Sequence, residues 1–255
     1  MPAPAAPTVR FPVMIHHWRW MTFLHWPYPP DLVQSKLPSG LTVETSNGTA
    51  WVGLLPFLMD EVRAPRLPPL PYLSRFPETN VRTYVRGPDG RTGIWFFSLD
   101  AARLPVVGVA RTSYGLPYCW SDMSVDRVGD QLRYRSRRRL PGPPGASCEV
   151  LAEFGAVLPD AKLTDLDYFL TARYRLYSLV AGRLVAAAAE HPPWPLRAAR
   201  LVHLRQNLLQ AAGFPVPSAD PIVHASEGVR VRIGMWQPAR RPRQPPGRQM
   251  SSNAG

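Results

Sequence analysis

With 255 residues, 45% of them hydrophobic, the chain can bury a sizeable core, which excludes wholesale disorder and suits one large domain. Its 31 prolines fit poorly inside helices or central strands, so a helical bundle is disfavoured against short β elements joined by turns. The formal charge of +12 is carried by arginine almost alone, Lys36 and Lys162 being the only lysines, and two cysteines, Cys119 and Cys148, exclude a disulfide framework.

In chain order, residues 1–10 read as a flexible Pro/Ala-rich leader, and residues 11–237 as a single domain. The apolar stretch after Arg10 is interrupted by His16, His17 and Arg19, so it is no signal-peptide core, and no apolar run approaches the roughly 18 residues that span a bilayer. A cytoplasmic protein is expected. Trp18 to Trp26 reads as a buried strand, and Pro29-Pro30-Asp31 opens a short helix over 32–37 that Pro38-Ser39-Gly40 stops. Strands over 41–43 and 50–57 flank an Asn47-Gly48 hairpin turn. Residues 63–71 read as a proline-rich loop.

The strand Glu78 to Val85 carries the most information. Alternation puts Glu78, Asn80, Arg82 and Tyr84 on one face and Thr79, Val81, Thr83 and Val85 on the other. The polar face either meets solvent or lines a wet cavity. Beyond it, 95–99 reads as a strand buried on both faces, 106–111 leads into the segment around Gly115, and Gln131 to Arg137 alternates as a strand. Thr164 and Asp167 form a capping box that opens a helix whose body carries Phe169, Arg173, Tyr174 and Tyr177. A second helix is expected from Leu196 to Gly213, on the spacing of Leu196, Leu201, Leu204, Leu208 and Leu209. Residues 184–190 fit either strand or helix, and 222–236 a last strand or hairpin. Residues 238–255 read as a disordered, basic Pro/Arg-rich tail.

Several chemistries find no motif. There is no GxGxxG, no Gly-Lys-Ser/Thr phosphate loop, no GxSxG elbow and no metal-ligand spacing among the six histidines, so neither a cofactor nor a metal is expected. His16 and His17 are adjacent and point to opposite faces of a strand. The arginine clusters at 133–139 and after Glu227 suit solvated surfaces better than nucleic-acid contacts, since aromatic side chains for base stacking are missing from the tail.

The segment Ala110-Arg111-Thr112-Ser113-Tyr114-Gly115-Leu116-Pro117-Tyr118-Cys119 resembles the Gly-Arg-Glu-x-x-Gly-x-Pro-Lys-Lys segment of acetoacetate decarboxylases. Phe76-Pro77-Glu78-Thr79-Asn80 resembles the glutamate-bearing pocket strand of that superfamily, and Pro30-Asp31-Leu32 to Leu41 its first helix. A nearer resemblance, over about residues 15–237, is to the YqjF-like family of unknown function within the same superfamily. It rests on Phe23-Leu24-His25-Trp26, the strand from Glu78 to Val85, Phe96 to Asp100, Leu116-Pro117-Tyr118, Arg173 to Tyr177 and His191 to Leu196. The resemblance implies a bacterial, β-rich α+β protein: a cone or barrel of mostly antiparallel strands with a few external helices around a central polar pocket.

The departures are informative. Where the decarboxylases carry their Schiff-base lysine and the lysine that lowers its pKa, this chain has Tyr118 and Cys119, and neither forms an iminium. The expected function is therefore binding of a small carbonyl or carboxylate compound, such as a keto acid. Glu78 and Tyr118 are the candidate catalytic groups, and Asn80, Arg82, Tyr84, Arg111, Cys119 and His191 the candidate ligand contacts. Arg111 offers a planar fork for a carboxylate or an ion pair with Glu78, Cys119 a nucleophile or an inert buried thiol, and His191 a site group or a histidine satisfied in a rigid turn. A lysine-independent hydratase, isomerase or hydrolase using Glu78 as acid/base is the alternative, and a nucleic-acid protein working through the tail a weaker one. A homo-oligomer is left open.

Overall fold

The computed structural model describes residues 6–240. Its strands are β1 (Pro12–Tyr28), β2 (Thr42–Val43), β3 (Thr45–Ser46), β4 (Thr49–Arg63), β5 (Phe76–Arg86), β6 (Thr92–Ala101), β7 (Tyr118–Val128), β8 (Gln131–Leu140), β9 (Ser147–Val157), β10 (Arg175–Val180), β11 (Arg183–Glu190), β12 (Leu196–Gln206), β13 (Ile222–Gly234) and β14 (Gln237–Pro238). The α-helices are α1 (Pro30–Gln34), α2 (Leu104–Tyr114), α3 (Asp165–Thr171) and α4 (Leu208–Ala211).

The strands β13-β1-β4-β5-β6 form a common wall that closes on itself twice. On one side β10 and β11 bridge from β6 to β13. On the other, β7, β8, β9 and β12 make the longer return between the same two strands. All pairings are antiparallel except β6 with β7 and β6 with β10. This is the β-rich cone expected, with short helices outside it.

Because the common wall has a layer on each side, its strands are largely buried on both faces. Along β1, Met21 and Phe23 join the core under β10 and β11, while Leu24 and Trp26 join the core under β8 and β9. The 17-residue β1 follows this curvature by breaking register with β4 between Arg19 and Leu24. Trp20 there takes a left-handed φ of 52°, the local kink a bulge produces. Asn47 and Gly48 both have positive φ, at 50° and 76°, as the expected tight hairpin between β3 and β4 requires.

Three elements differ from expectation. The helix expected over 196–213 is strand β12 followed by the single turn α4. A bulge at Val202 explains the spacing: Leu201 opposes Ala152 while His203 opposes Leu151, so Leu201 and Leu204 share a face although three residues apart, as they would on a helix. The Thr164–Asp167 capping box is present, but its helix ends at Thr171. Tyr177, expected in the helix body, lies in β10, and Arg173 and Tyr174 lead into it. Residues 104–114, which carry no helix signal because Val106, Val107 and Val109 are β-branched, form α2.

The arginines of 133–139 lie on strand β8, which includes the alternating strand expected over 131–137. Arg133, Arg135, Arg137 and Arg139 face solvent and Arg138 faces inward. Within the expected leader, Val9 is buried and its N–H donates to Glu190 Oε2 at 2.6 Å. Strand pairing at the other end reaches Pro238, opposite Val185. Residues 1–5 of the leader and 241–255 of the basic tail lie outside the described residues.

Candidate functional site

On β5, both faces are buried, so the polar face of Glu78, Asn80 and Arg82 meets an interior space and not bulk water. That space is a cavity of about 480 Å³ under the β10–β11 closure. Glu78, Asn80, Arg82, Tyr118 and His191 line it. Most of the remaining lining is apolar, including Met14, Met21, Phe57, Met59, Phe76 and Phe96. The expected polar pocket is thus a mostly apolar cavity with a few polar groups set into its walls, the usual make-up of a small-molecule site.

Tyr118 reaches Glu78 through a local device. Gly115 caps α2 in the left-handed conformation, and a Cβ there would sit 1.9 Å from the Leu179 carbonyl oxygen. This tight turn through Leu116 and Pro117 starts β7 at Tyr118, opposite Leu99 of β6, and the Tyr118 hydroxyl donates to Glu78 Oε2 at 2.8 Å. Burial pushes the Glu78 carboxyl up to about 8, a rise that the Tyr118 hydrogen bond opposes and the Asp100 charge adds to. Glu78 therefore holds its proton at neutral pH. The Tyr118 phenol is driven well above its ordinary range by its own burial and by Glu78.

Arg82 lies four residues further along the same face, about 13 Å away in Cα rise. It is 6% exposed, and its Nη2 donates to the Leu170 carbonyl at 3.2 Å. Its Nε has no hydrogen-bond partner, and among the described residues no carboxylate comes within 4.0 Å of it. The neighbouring Arg173, also on the cavity wall, is paired with Glu44 and donates to Phe169 O. Other polar atoms of the cavity lining lack partners too: Asn80 Oδ1, Trp18 Nε1 and both nitrogens of His16. Burial holds His16 down to about 4, so it is neutral.

The remaining candidates divide. Tyr84 does not line the cavity. It packs beneath Arg82, its hydroxyl donating to Leu170 O at 2.6 Å with His25 Nε2 also 2.6 Å away. His25 can approach because a Cβ on Gly53 would lie 2.9 Å from its ring. Arg111 is a correction: it is exposed on α2, lies outside the cavity lining, and spends Nη1 on the Tyr118 carbonyl at 2.8 Å, with no ion pair to Glu78. It braces the Tyr118 turn. Cys119 is buried and also lies outside the lining, its thiol pushed up to about 11 by burial, which removes the thiolate a nucleophile needs. His191 lines the cavity from its proline-rich turn, with Nδ1 2.7 Å from Pro192 O and Nε2 3.2 Å from Arg173 O, and a neutral ring donates to one of these two carbonyls. Sequence reasoning missed His16 and Trp18 as cavity groups, although strand alternation already separated His16 from His17.

The model of the DUF2071 family, uncharacterized conserved proteins, matches residues 16–230. The uncharacterized protein YqjF of Bacillus subtilis (strain 168) is 38% identical over 216 residues, 83% of this chain and 86% of that protein. Among solved structures, acetoacetate decarboxylase from Legionella pneumophila superposes with a TM-score of 0.64 at 14% identity, covering 93% of this chain and 92% of that one. The enduracididine biosynthesis enzyme MppR complexed with pyruvate gives 0.59 at 14% identity, covering 92% and 98%. No helix among the described residues is long and apolar enough to cross a membrane. The chain belongs to the DUF2071 family of uncharacterized conserved proteins and is built on the acetoacetate decarboxylase-like fold.

Proposed function

We propose that this protein binds a small carbonyl or carboxylate compound in the cavity, with Arg82 as the anchor for the carboxylate. One observation carries the reading: a buried guanidinium on the cavity wall has a backbone carbonyl but no carboxylate against it. A buried cation left in that state is costly, and an incoming carboxylate both neutralises it and meets its planar fork. The pyruvate complex of MppR gives support by analogy of fold alone. Lysine-imine decarboxylation has no part in the proposal, because Tyr118 and Cys119 stand where the lysines would be and neither Lys36 nor Lys162 lines the cavity. We place the protein in the cytoplasm. A homo-oligomer is compatible with this reading. Nucleic-acid binding through the basic tail is the weakest alternative, and most of that tail lies outside the described residues.

The test is a thermal-shift screen of keto acids and simple carboxylates on the wild type and Arg82→Met. A ligand at a hundred times its Kd stabilises by about 2.7 kcal/mol, an easily read shift in Tm. At least one acid should raise the Tm of the wild type and leave Arg82→Met unmoved. Equal shifts in both proteins would overturn the assignment.

A second reading has its own observation, the protonated Glu78 in contact with Tyr118 inside the cavity. These two groups suit a lysine-independent acid/base enzyme of hydratase, isomerase or hydrolase type, with Glu78 moving the proton and Tyr118 donating to an oxygen that gains charge. Above about pH 8, where Glu78 is the carboxylate that can take a proton, exchange of the α-protons of a bound ketone for deuterium, followed by NMR, would be slowed at least 100-fold in Glu78→Gln. An unchanged exchange rate would remove this reading.

A further inference from the structure

The cavity has a direction. Met59 opposes Phe76, Phe57 opposes Glu78, Leu55 opposes Asn80 and Gly53 opposes Arg82, so these pairs form successive rungs from one end of the space to the other. At the Phe76 end stand the loop after β4, helix α2 and Met235, and there Leu70, Val109 and Met235 line the cavity while remaining 59%, 65% and 57% exposed. This end is the mouth. Ser74 fixes its loop, donating to Val62 O and accepting from Leu70 N, both at 2.6 Å. At the other end Arg82 abuts the Leu170 carbonyl, and the chain from α3 into β10 seals the floor. From Phe76 to Arg82 the strand rises about 20 Å.

We infer that the occupant is an extended amphipathic carboxylic acid, its carboxylate on Arg82 at the floor and its hydrocarbon or aromatic body reaching up the apolar wall toward the mouth. The inference rests on the proposed role of Arg82 and adds the class of acid. Three features point beyond a three- or four-carbon keto acid. The volume, about 480 Å³, lies within the roughly 300–1,000 Å³ of pockets that hold drug-sized ligands. The lining between floor and mouth is mostly apolar, broken on β5 and β7 by Glu78, Asn80 and Tyr118, with Met14, Met21 and Met59 able to fit chains of different shape. The exposed apolar residues of the mouth, Leu70, Val109 and Met235, adjoin this lining beside Arg63, so a body long enough to reach them buries them as well. A short acid held at Arg82 would leave Glu78, about 13 Å along the strand, out of reach. In an extended acid, Glu78 and Tyr118 face the body several carbons from the carboxylate.

The experiment is calorimetric titration of the full chain with butanoate, hexanoate, octanoate and decanoate, each below its micelle concentration. Kd should fall about three- to fourfold for each added methylene. Arg82→Met should weaken every member. Ala110→Trp, which fills the mouth from α2, should weaken decanoate at least tenfold and spare butanoate, and it keeps the test valid if the floor variant folds poorly. A flat series with Arg82-dependent binding overturns the extended-acid inference and leaves the anchor standing. Binding indifferent to Arg82→Met, or no binding of any acid, overturns both.

Discussion

The two closures of this barrel treat a buried arginine in opposite ways. On the β7–β8 side, Arg138 makes two 2.8 Å bonds to Asp100, and Asp100 accepts a third from Ser121. On the β10–β11 side, Arg82 is as deeply buried, has one long bond to a carbonyl and lies over the Tyr84 phenol, with no carboxylate against it among the described residues. The first arrangement is complete and holds strands together. The second is complete only with a further acceptor. Burial alone thus says little about role, and the state of a charged group's hydrogen bonds says much more.

The same substitution at both places breaks the comparison most sharply. Arg138→Met leaves the Asp100 carboxylate buried without its cation and should cost about 3–5 kcal/mol in denaturant unfolding. Arg82→Met orphans nothing, since Leu170 O keeps its bond from Tyr84, and should change stability by less than about 1 kcal/mol in either direction. Equal losses would mean that Arg82 is structural.

Next in size is Glu78. Its folded pKa of about 8 lies above its ordinary 4.5, so the folded protein keeps a proton that the unfolded chain releases. Its contribution is fully present below about pH 4.5 and is lost as pH rises through about 8. Glu78→Gln should remove that decline and gain a few kcal/mol over the wild type at pH 9. A parallel pH profile in the two proteins would contradict an enclosed acid.

His16 gives a smaller effect of opposite sign. Its pKa, lowered from 6.5 to about 4, means that the unfolded chain gains a proton first as pH falls, so stability is lost between about 6.5 and 4. His16→Leu should flatten that acid limb by about 1–2 kcal/mol at pH 5. The smallest effect belongs to Cys119. Cys119→Ala should leave acid binding unchanged within twofold, and the wild-type thiol should react with iodoacetamide only on unfolding.

Much of the site was legible in the sequence because β5 obeys simple alternation, which put Glu78, Asn80 and Arg82 on one face. Tyr118 was reached through the spacing of Arg111, Gly115 and Pro117. The same spacing misled for Arg111, whose side chain turns back to a backbone carbonyl, a choice that position in a motif does not encode. The polar face extended the alternation to Tyr84, but at that rung the wall closes over and the phenol meets His25 and Leu170. Strand β12 was hidden by its bulge, and α2 by its valines. The apolar character of the cavity was not visible either, since it is assembled from β1, β4, β6 and α2, whose apolar residues read individually as core.

Calorimetric titration of octanoate into the wild type and Arg82→Met tests the central claim most directly. Binding to the wild type should be saturable and 1:1, with affinity at least 100-fold weaker in a variant that unfolds at the same denaturant concentration. Equal affinity in two equally stable proteins would contradict it.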